Sequence, residues 1–162
     1  MDSKTSSIDV TEGKINLGGK NIRAISGENE LNALAEEGLI EKRETGRGKP
    51  YYYVEANLED MRFGVFMSLR DNKLGWLRLQ WLDSPIKGWD DVNEDALRDE
   101  YRLLINFVKQ SVGHGPNKKG NGTRAWHFHW GQLEVSYDVR ALQVSIFMLT
   151  RWGARQEGWL YE

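Results

Sequence analysis

The strongest constraint on the fold is a strict alternation of side chains near the end of the chain. In the segment LQVSIFML, residues 142–149, every even-numbered position is apolar. This period of two predicts a β-strand with one buried face. Phe147 and Leu149 make the opposite face partly apolar as well, which predicts a central place in the sheet. The stretch Arg124–Leu149 as a whole predicts two strands joined around Tyr137–Ala141.

Composition limits the class of protein. A chain of 162 residues, of which 40% are hydrophobic, predicts one globular domain over residues 1–162, with residues 1–12 and the end of 150–162 flexible. The net charge of −2 argues against broad electrostatic binding to nucleic acid or to an anionic membrane. The chain has no cysteine, and no apolar run approaches the roughly 18 residues of a membrane span. We therefore expect a cytoplasmic protein.

Glycines and polar turns mark further hairpins. Gly18-Gly19 separates two short strand-like segments, and such a pair supplies positive φ at little cost. A longer hairpin is predicted over Arg62–Asp83, where the alternation stops at Asp71–Lys73. The glycine-rich residues 114–123 predict a flexible connection. They do not predict a phosphate-binding loop, because they follow a helix and precede a strand.

Two segments predict helices. The first covers about residues 28–37, with Ser26 as its N-cap. The second covers about residues 93–112, with Asn93 as N-cap and Gly113 just after its end. Its apolar residues have helical spacing: Leu97, Tyr101, Leu104, Ile105, Val108 and Val112. Together these elements predict an α+β fold, an antiparallel sheet of about five to seven strands with the long helix packed on one face.

A metal site is one functional alternative. In the expected strand around residues 124–130, His127 and His129 are two positions apart and so share a face. Both imidazoles are then placed to hold one ion, with Glu134 or His114 as a third ligand. Histidines that pair with carboxylates on a polar sheet face explain the same pattern.

A DNA-binding segment is a further alternative. Residues 31–54 look like the end of a winged-helix domain, with a helix followed by a basic hairpin that carries Arg43, Arg47 and Lys49. A winged helix needs two more helices upstream. Residues 1–25 are too short and too rich in glycine to supply them, so a helix and strand of a mixed sheet is the better interpretation.

The sequence contains no motif that predicts catalysis. No serine lies in a G-x-S-x-G context, and cysteine is absent. Carboxylates such as Glu134 and Asp138 lie near aromatic residues, but nothing in the sequence brings two of them together. We therefore expect a protein that is not an enzyme and that needs no cofactor.

Seven tryptophans are the one compositional excess. So many indoles do not fit easily in one small core, and exposed tryptophan beside arginine is typical of the energetic centre of a protein interface. Trp76 with Arg78, and Trp89, are the candidates we select. Packing between helix and sheet is the alternative explanation for most of these indoles.

The order of elements resembles that of small bacterial cytoplasmic proteins that are thought to act as immunity proteins beside secreted toxins. The matching pieces lie within residues 14–149. They are Gly64–Leu69, Leu74–Leu79, Trp89-Asp90-Asp91, the helix through Tyr101–Val108, Trp130-Gly131 and Tyr137-Asp138. The resemblance implies a cytoplasmic binding protein whose partner is a cognate toxin. It assigns no site residues, and the tryptophan-rich end after residue 149 has no counterpart in the pattern.

We therefore predict an immunity-like inhibitor that neutralises a cognate bacterial toxin by occluding its active site. Acidic residues would imitate a nucleic-acid substrate if the toxin is a nuclease; Glu36 and Glu37 are possible members of that set. The predicted partner-binding residues are Trp76, Arg78, Trp89, Asp90, Asp91 and Glu94.

Overall fold

The computed structural model describes residues 6–23, 26–44, 46, 48–70, 73–87, 90, 92–138, 140 and 142–150. These residues form eleven strands and two helices. In chain order they are β1 (Ser7–Asp9), β2 (Lys14–Asn16), β3 (Asn21–Arg23), α1 (Glu28–Glu36), β4 (Glu41–Arg43), β5 (Tyr51–Leu58), β6 (Met61–Arg70), β7 (Lys73–Trp81), α2 (Glu94–Val112), β8 (Lys118–Gly120), β9 (Thr123–Phe128), β10 (Gly131–Asp138) and β11 (Gln143–Leu149).

All eleven strands belong to one mixed sheet. The order is β3-β2-β1-β5-β6-β7-β11-β10-β9-β8. On the same edge of β5, β1 pairs at Asn57, and β4 pairs with Tyr51–Tyr53. The β1–β5 pairing is parallel, whereas the other pairings are antiparallel. The predicted architecture of five to seven antiparallel strands with one long helix on one face is therefore wrong. Five of the strands have only three residues, too few to show a period of two in sequence.

β6, β7 and β11 lie where the alternation predicts strands. β11 pairs with β7 on one side and with β10 on the other, which confirms its central place. The stretch before it forms two strands instead of one, because the chain turns at His129-Trp130. Gly131 has φ +151°, and a Cβ there would lie 2.0 Å from the carbonyl oxygen of Leu149. Only glycine allows β10 to begin so close to the neighbouring strand.

The expected flexible connection also contains a strand. Lys118–Gly120 forms β8 and pairs with β9 around Asn121-Gly122. Gly122 has φ +79°, and Asn-Gly is a strong signal for a tight hairpin turn. The Asn-Gly pair therefore predicts the hairpin, whereas the basic, glycine-rich composition of the segment predicts a flexible connection.

The helix ends follow from local chemistry. The side chain of Asn93 accepts a hydrogen bond from the backbone N–H of Ala96 at 2.8 Å, and Gly113 ends α2 with φ +97°. α1 begins differently from the prediction. Its N-cap is Gly27, whose N–H donates to Glu30 Oε1 at 3.2 Å. Ser26 instead accepts from the N–H of Arg23, which closes the turn after β3.

The core lies on the face of the sheet that contacts both helices, which we call the inner face. α2 packs mainly on β10 and β11. The ring centre of its Phe107 lies 6.2 Å from that of Phe63 on β6. α1 contributes Leu31 and Leu34 to the same core. The fully or almost fully buried residues of the long strands on this face include Tyr52, Phe63, Val65, Met67, Leu77, Leu79, Trp126, Leu133, Val135, Ile146 and Met148.

The sheet curls until two distant hairpin turns meet. Trp130, between β9 and β10, donates its Nε1–H to the carbonyl oxygen of Val10, just after β1, at 2.9 Å. A Cβ at Gly13 would lie 2.3 Å from the Trp130 ring. Four strands separate β1 from β10 in the sheet, so this contact requires strong curvature around the helices. Neither of the described helices has the length and apolar character to cross a bilayer.

Candidate protein-binding face

The register of the long strands lines up one row of side chains on the opposite, outer face. Tyr53 of β5 pairs with Phe66 of β6, and Phe66 pairs with Arg78 of β7. Arg78 pairs with Phe147 of β11, which in turn pairs with Glu134 of β10. Because directly paired residues point to the same side of a sheet, these five side chains share one face. The row combines three aromatic rings with one cation and one carboxylate.

Arg78 is the most unusual member of the row. Its guanidinium carbon lies 4.2 Å from the centre of the Phe66 ring, and its Nη1 donates to Gln80 Oε1 at 3.2 Å. Burial lowers the pKa of Arg78. No carboxylate in the described part of the chain forms an ion pair with it. A half-buried cation on an aromatic ring, held only by a neutral amide, is suited to accept an acidic group from outside.

Further aromatic rings extend the row along the strands. Trp76 is half-buried and contacts Phe147 edge to face, with ring centres 5.7 Å apart. At the other end of the row, the ring centres of Tyr53 and Phe66 are 5.0 Å apart. The guanidinium carbon of Arg43 lies 4.1 Å from the centre of the Tyr53 ring. The hydroxyl of Tyr51 and the carboxylate of Glu41 raise the pKa of Arg43. The name outer aromatic patch is used below for Arg43, Tyr51, Tyr53, Phe66, Trp76, Arg78 and Phe147.

The outer face is not uniformly accessible. On β10 and β11, Leu149 is fully buried and Glu134 is only 8% exposed. Burial raises the pKa of Glu134, while the charge of Lys118 opposes that shift. Gln132 donates its Nε2–H to Glu134 Oε1 at 3.4 Å. The partly exposed rings of this face are those of Tyr51, Phe66, Trp76 and Phe147, whereas the Tyr53 ring is only 7% exposed.

The predicted partner-binding residues fall into two groups. Trp76 and Arg78 are two apart on β7 and share the outer aromatic patch. Asp90 and Glu94 are exposed and lie in and just after the connection between β7 and α2. Glu94 pairs with Arg98 of its own helix at 3.6 Å. The remaining two, Trp89 and Asp91, are outside the described residues.

The acidic residues near the first helix are also separate from the patch. Glu36 is exposed at the end of α1, and Glu37 pairs with Lys20 at 2.6 Å. No contact among the described residues brings Glu36 and Glu37 together with the acidic residues near α2. The structure therefore shows no single acidic surface made of both groups.

The histidine pair does not have the predicted geometry. His127 is exposed on β9, whereas His129 lies in the turn and its Nε2 is 3.7 Å from Glu12 Oε1. His114 contacts the carbonyl oxygen of Gly115 through Nδ1. Within the described residues, no three His, Asp or Glu side chains are grouped to hold an ion. The strand that would align the two imidazoles ends at Phe128, so His127 lies on β9 and His129 lies in the turn after it.

The segment that resembles a wing is part of the sheet. β4 pairs with β5 through Lys42 and Tyr52, and Arg43 donates Nε–H to Glu41 Oε1 at 3.0 Å. Residues 6–23 form three strands, so the described chain upstream of α1 has no helix to complete a winged-helix domain. Arg47 lies outside the described residues.

The sequence indicates the outward direction of two members of the patch, Phe66 and Phe147, but not their contacts. Phe66 and Phe147 occupy the polar phase of their alternating strands, and an aromatic residue in that phase points away from the core. Their contact with Arg78 depends on the pairing of β6, β7 and β11. Sequence alone does not give that register.

No family model matches the chain, and no curated protein is similar to it in sequence. The fold is similar to one chain in the solved structure of Rhs1-CT in complex with cognate immunity protein RhsI1. The likeness covers 97% of this chain and 100% of that chain, with a TM-score of 0.50 and 12% identity. At that identity the likeness concerns the fold and not individual residues.

Proposed function

We propose that this chain is an immunity-type protein, not an enzyme, and that it binds a cognate protein toxin and occludes the toxin's active site. The observation that carries the proposal is the likeness in fold to one chain of the complex of Rhs1-CT with its cognate immunity protein, which extends over nearly the whole of both chains. The resemblance in the order of sequence elements points to the same class independently. A binding protein of this kind needs a surface with strong anchors.

We propose that the outer aromatic patch supplies these anchors. Trp76 and Arg78 belong to the residue types that dominate interface energetics. Arg78 lacks a carboxylate partner in the described chain, so an Asp or Glu of the toxin would form a charge-assisted hydrogen bond with it. The surrounding rings exclude water and strengthen that bond.

Co-expression with the protein encoded by the adjacent gene tests the function. We expect one-to-one complex formation in size-exclusion chromatography and relief of the growth arrest that the adjacent protein causes alone. Metal analysis of the purified peak separates this outcome from the histidine alternative. Absence of both the complex and the protection would overturn the proposal.

Variants of the patch test the binding surface separately. Arg78→Met keeps an apolar stem over Phe66 but removes the charge, and Trp76→Ala removes one anchor. We expect each to weaken the complex by roughly tenfold to several hundredfold, on the order of 1.4–3.5 kcal/mol. Arg102→Ala is the control, because Arg102 is 72% exposed on the solvent side of α2. An unchanged Kd in both patch variants would place the interface elsewhere.

A further inference from the structure

A pocket of about 200 Å³ lies beside the first turns of α2, between the end of β7 and the start of β11. Its apolar wall is formed by Trp81, Ile86, Val92, Leu142 and Val144. For comparison, an engineered protein cavity of about 150 Å³ holds a benzene molecule. The pocket therefore has room for the aliphatic part of a long side chain.

A buried carboxyl group belongs to the polar half of the lining, which consists of Gln80, Ser84, Lys87, Glu100 and Gln143. Glu100 lines the pocket and is 7% exposed, and its Oε1 accepts a hydrogen bond from Ser84 Oγ. Ser84 is held in turn by the N–H of Ile86, which donates to Oγ at 3.0 Å. The backbone donor directs the hydroxyl proton of Ser84 towards Glu100. The second carboxyl oxygen, Oε2, has no hydrogen-bond partner among the described residues.

The environment of Glu100 is one that a cation would stabilise. Burial raises the pKa of Glu100, while the Ser84 hydrogen bond and the charge of Lys87 act in the opposite direction. No ion pair among the described residues includes Glu100. A buried carboxylate is costly unless a cation or several donors compensate it, and because the pKa of Glu100 is still raised, the Ser84 hydroxyl and the charge of Lys87 compensate its burial only in part.

Among the described residues, no charged side chain near the pocket forms an ion pair with Glu100. A cation from outside the chain can therefore take the place beside its carboxyl group. Lys87 also lines the pocket, but its Nζ donates to the carbonyl oxygen of Leu82 at 2.9 Å, which directs the ammonium towards the backbone. Asp90 and Glu94 are exposed and flank Val92, a residue of the pocket wall, in the chain. Their negative charges favour the approach of a basic group to the segment that borders the pocket.

We propose that this pocket receives a lysine or arginine side chain of the partner protein, with its aliphatic stem along the apolar wall and its charged group on Glu100. The partner's identity rests on the proposed function, whereas the affinity of the pocket for an alkyl cation does not. The pocket lies beside the connection that carries Asp90, so it would add a second anchor to the one at Arg78.

Titration of the full chain with n-butylammonium chloride tests the pocket without any toxin. The readouts are the indole N–H signal of Trp81 and the backbone signals of Ser84 and Glu100 in NMR spectra. We expect saturable shifts at millimolar concentration. 1-Butanol has the same stem without the charge, and it should bind at least tenfold more weakly. No saturable shift with n-butylammonium would overturn the inference.

Two variants show whether the carboxylate and the cavity are responsible. Glu100→Gln keeps the size and the acceptor for Ser84, and we expect at least a tenfold loss of n-butylammonium affinity. Val92→Phe narrows the pocket without a change of charge, and it should also weaken binding. Equal affinity in wild type and both variants would place the amine elsewhere on the protein. If one variant fails to fold, the other still gives the answer.

The complex with the toxin distinguishes the two sources of the cation. We expect Glu100→Gln to weaken the complex at least tenfold. If n-butylammonium binds but the complex is unchanged by Glu100→Gln, the pocket takes a free amine and the proposed role for a partner side chain is wrong. If no complex forms at all, the proposed function fails, while the titration still decides the chemistry of the pocket.

Discussion

The inner and outer faces of the central strands carry aromatic residues in different settings. On the inner face, Phe63 and Trp126 are fully buried beneath the helices. On the outer face, Phe66 and Trp76 remain half-buried, and a guanidinium lies on one of the rings. The same residue type is therefore packed in the core on one side and partly exposed on the other. Phe63 and Phe66 belong to the same strand, β6, so the difference lies in what covers each side.

The largest effect should follow from a cavity on the inner side. Leu104→Ala removes a side chain of α2 that is 1% exposed, and we expect a loss of about 2–5 kcal/mol in the free energy of unfolding. Leu103→Ala, one position away and 44% exposed, is the control and should change it by less than about 0.5 kcal/mol. Urea denaturation monitored by circular dichroism measures both. Similar losses would show that α2 does not distinguish a buried side from a solvent side.

The next effect concerns the contact of the two hairpin turns. Gly13 and Gly18 have similar φ values of +69° and +73°, but only at Gly13 would a Cβ meet the Trp130 ring. Gly18→Ala should cost about 1–2 kcal/mol from the left-handed backbone alone. Gly13→Ala should cost about 1–3 kcal/mol more, because the ring must move. Thermal unfolding measures the difference between the two variants. Equal losses would mean that the turns do not hold each other.

A smaller loss of stability is expected on the outer face. Trp76→Ala removes an edge-to-face contact with Phe147, and such pairs contribute about 0.5–1.5 kcal/mol beyond the area that they bury. We expect the free energy of unfolding to fall by about 1–2 kcal/mol, less than for Leu104→Ala. Denaturation in urea measures this loss. A loss as large as that of Leu104→Ala would show that the outer aromatic patch is a second core.

The smallest effect depends on pH. Because burial raises the folded-state pKa of Glu134, its contribution to stability is present below the unfolded value, near 4.5, and is lost as pH rises through the folded pKa. Glu134→Gln should therefore be more stable than wild type at pH 7.5, and the advantage should disappear by pH 3.5. Denaturation curves at the two pH values measure it. If the stability difference in favour of Glu134→Gln grew as the pH fell, the pKa of Glu134 would not be raised in the folded state.

The sequence predicted the candidate site only in part. Trp76 and Arg78 are two apart in an alternating strand, so their common face followed from the period of two. The neighbours that give Arg78 its environment, Phe66 and Phe147, come from strands before and after β7, and their register is a tertiary property. The alternative metal ligands His127 and His129 do not share one strand, because β9 ends at Phe128 and His129 lies in the turn that follows.

Local patterns determined β6, β7 and β11, both helices and the caps at Asn93 and Gly113, since each depends on residues within one or two turns of the chain. The tertiary structure decided the number of strands and their mixed direction. The pairing of Ser7 with Asn57 joins segments fifty residues apart, and three-residue strands have no period that would announce it. The burial of Glu100 beneath Ser84 likewise depends on how the connection folds over α2, because a single carboxyl group in a helical pattern carries no sign of the pocket around it.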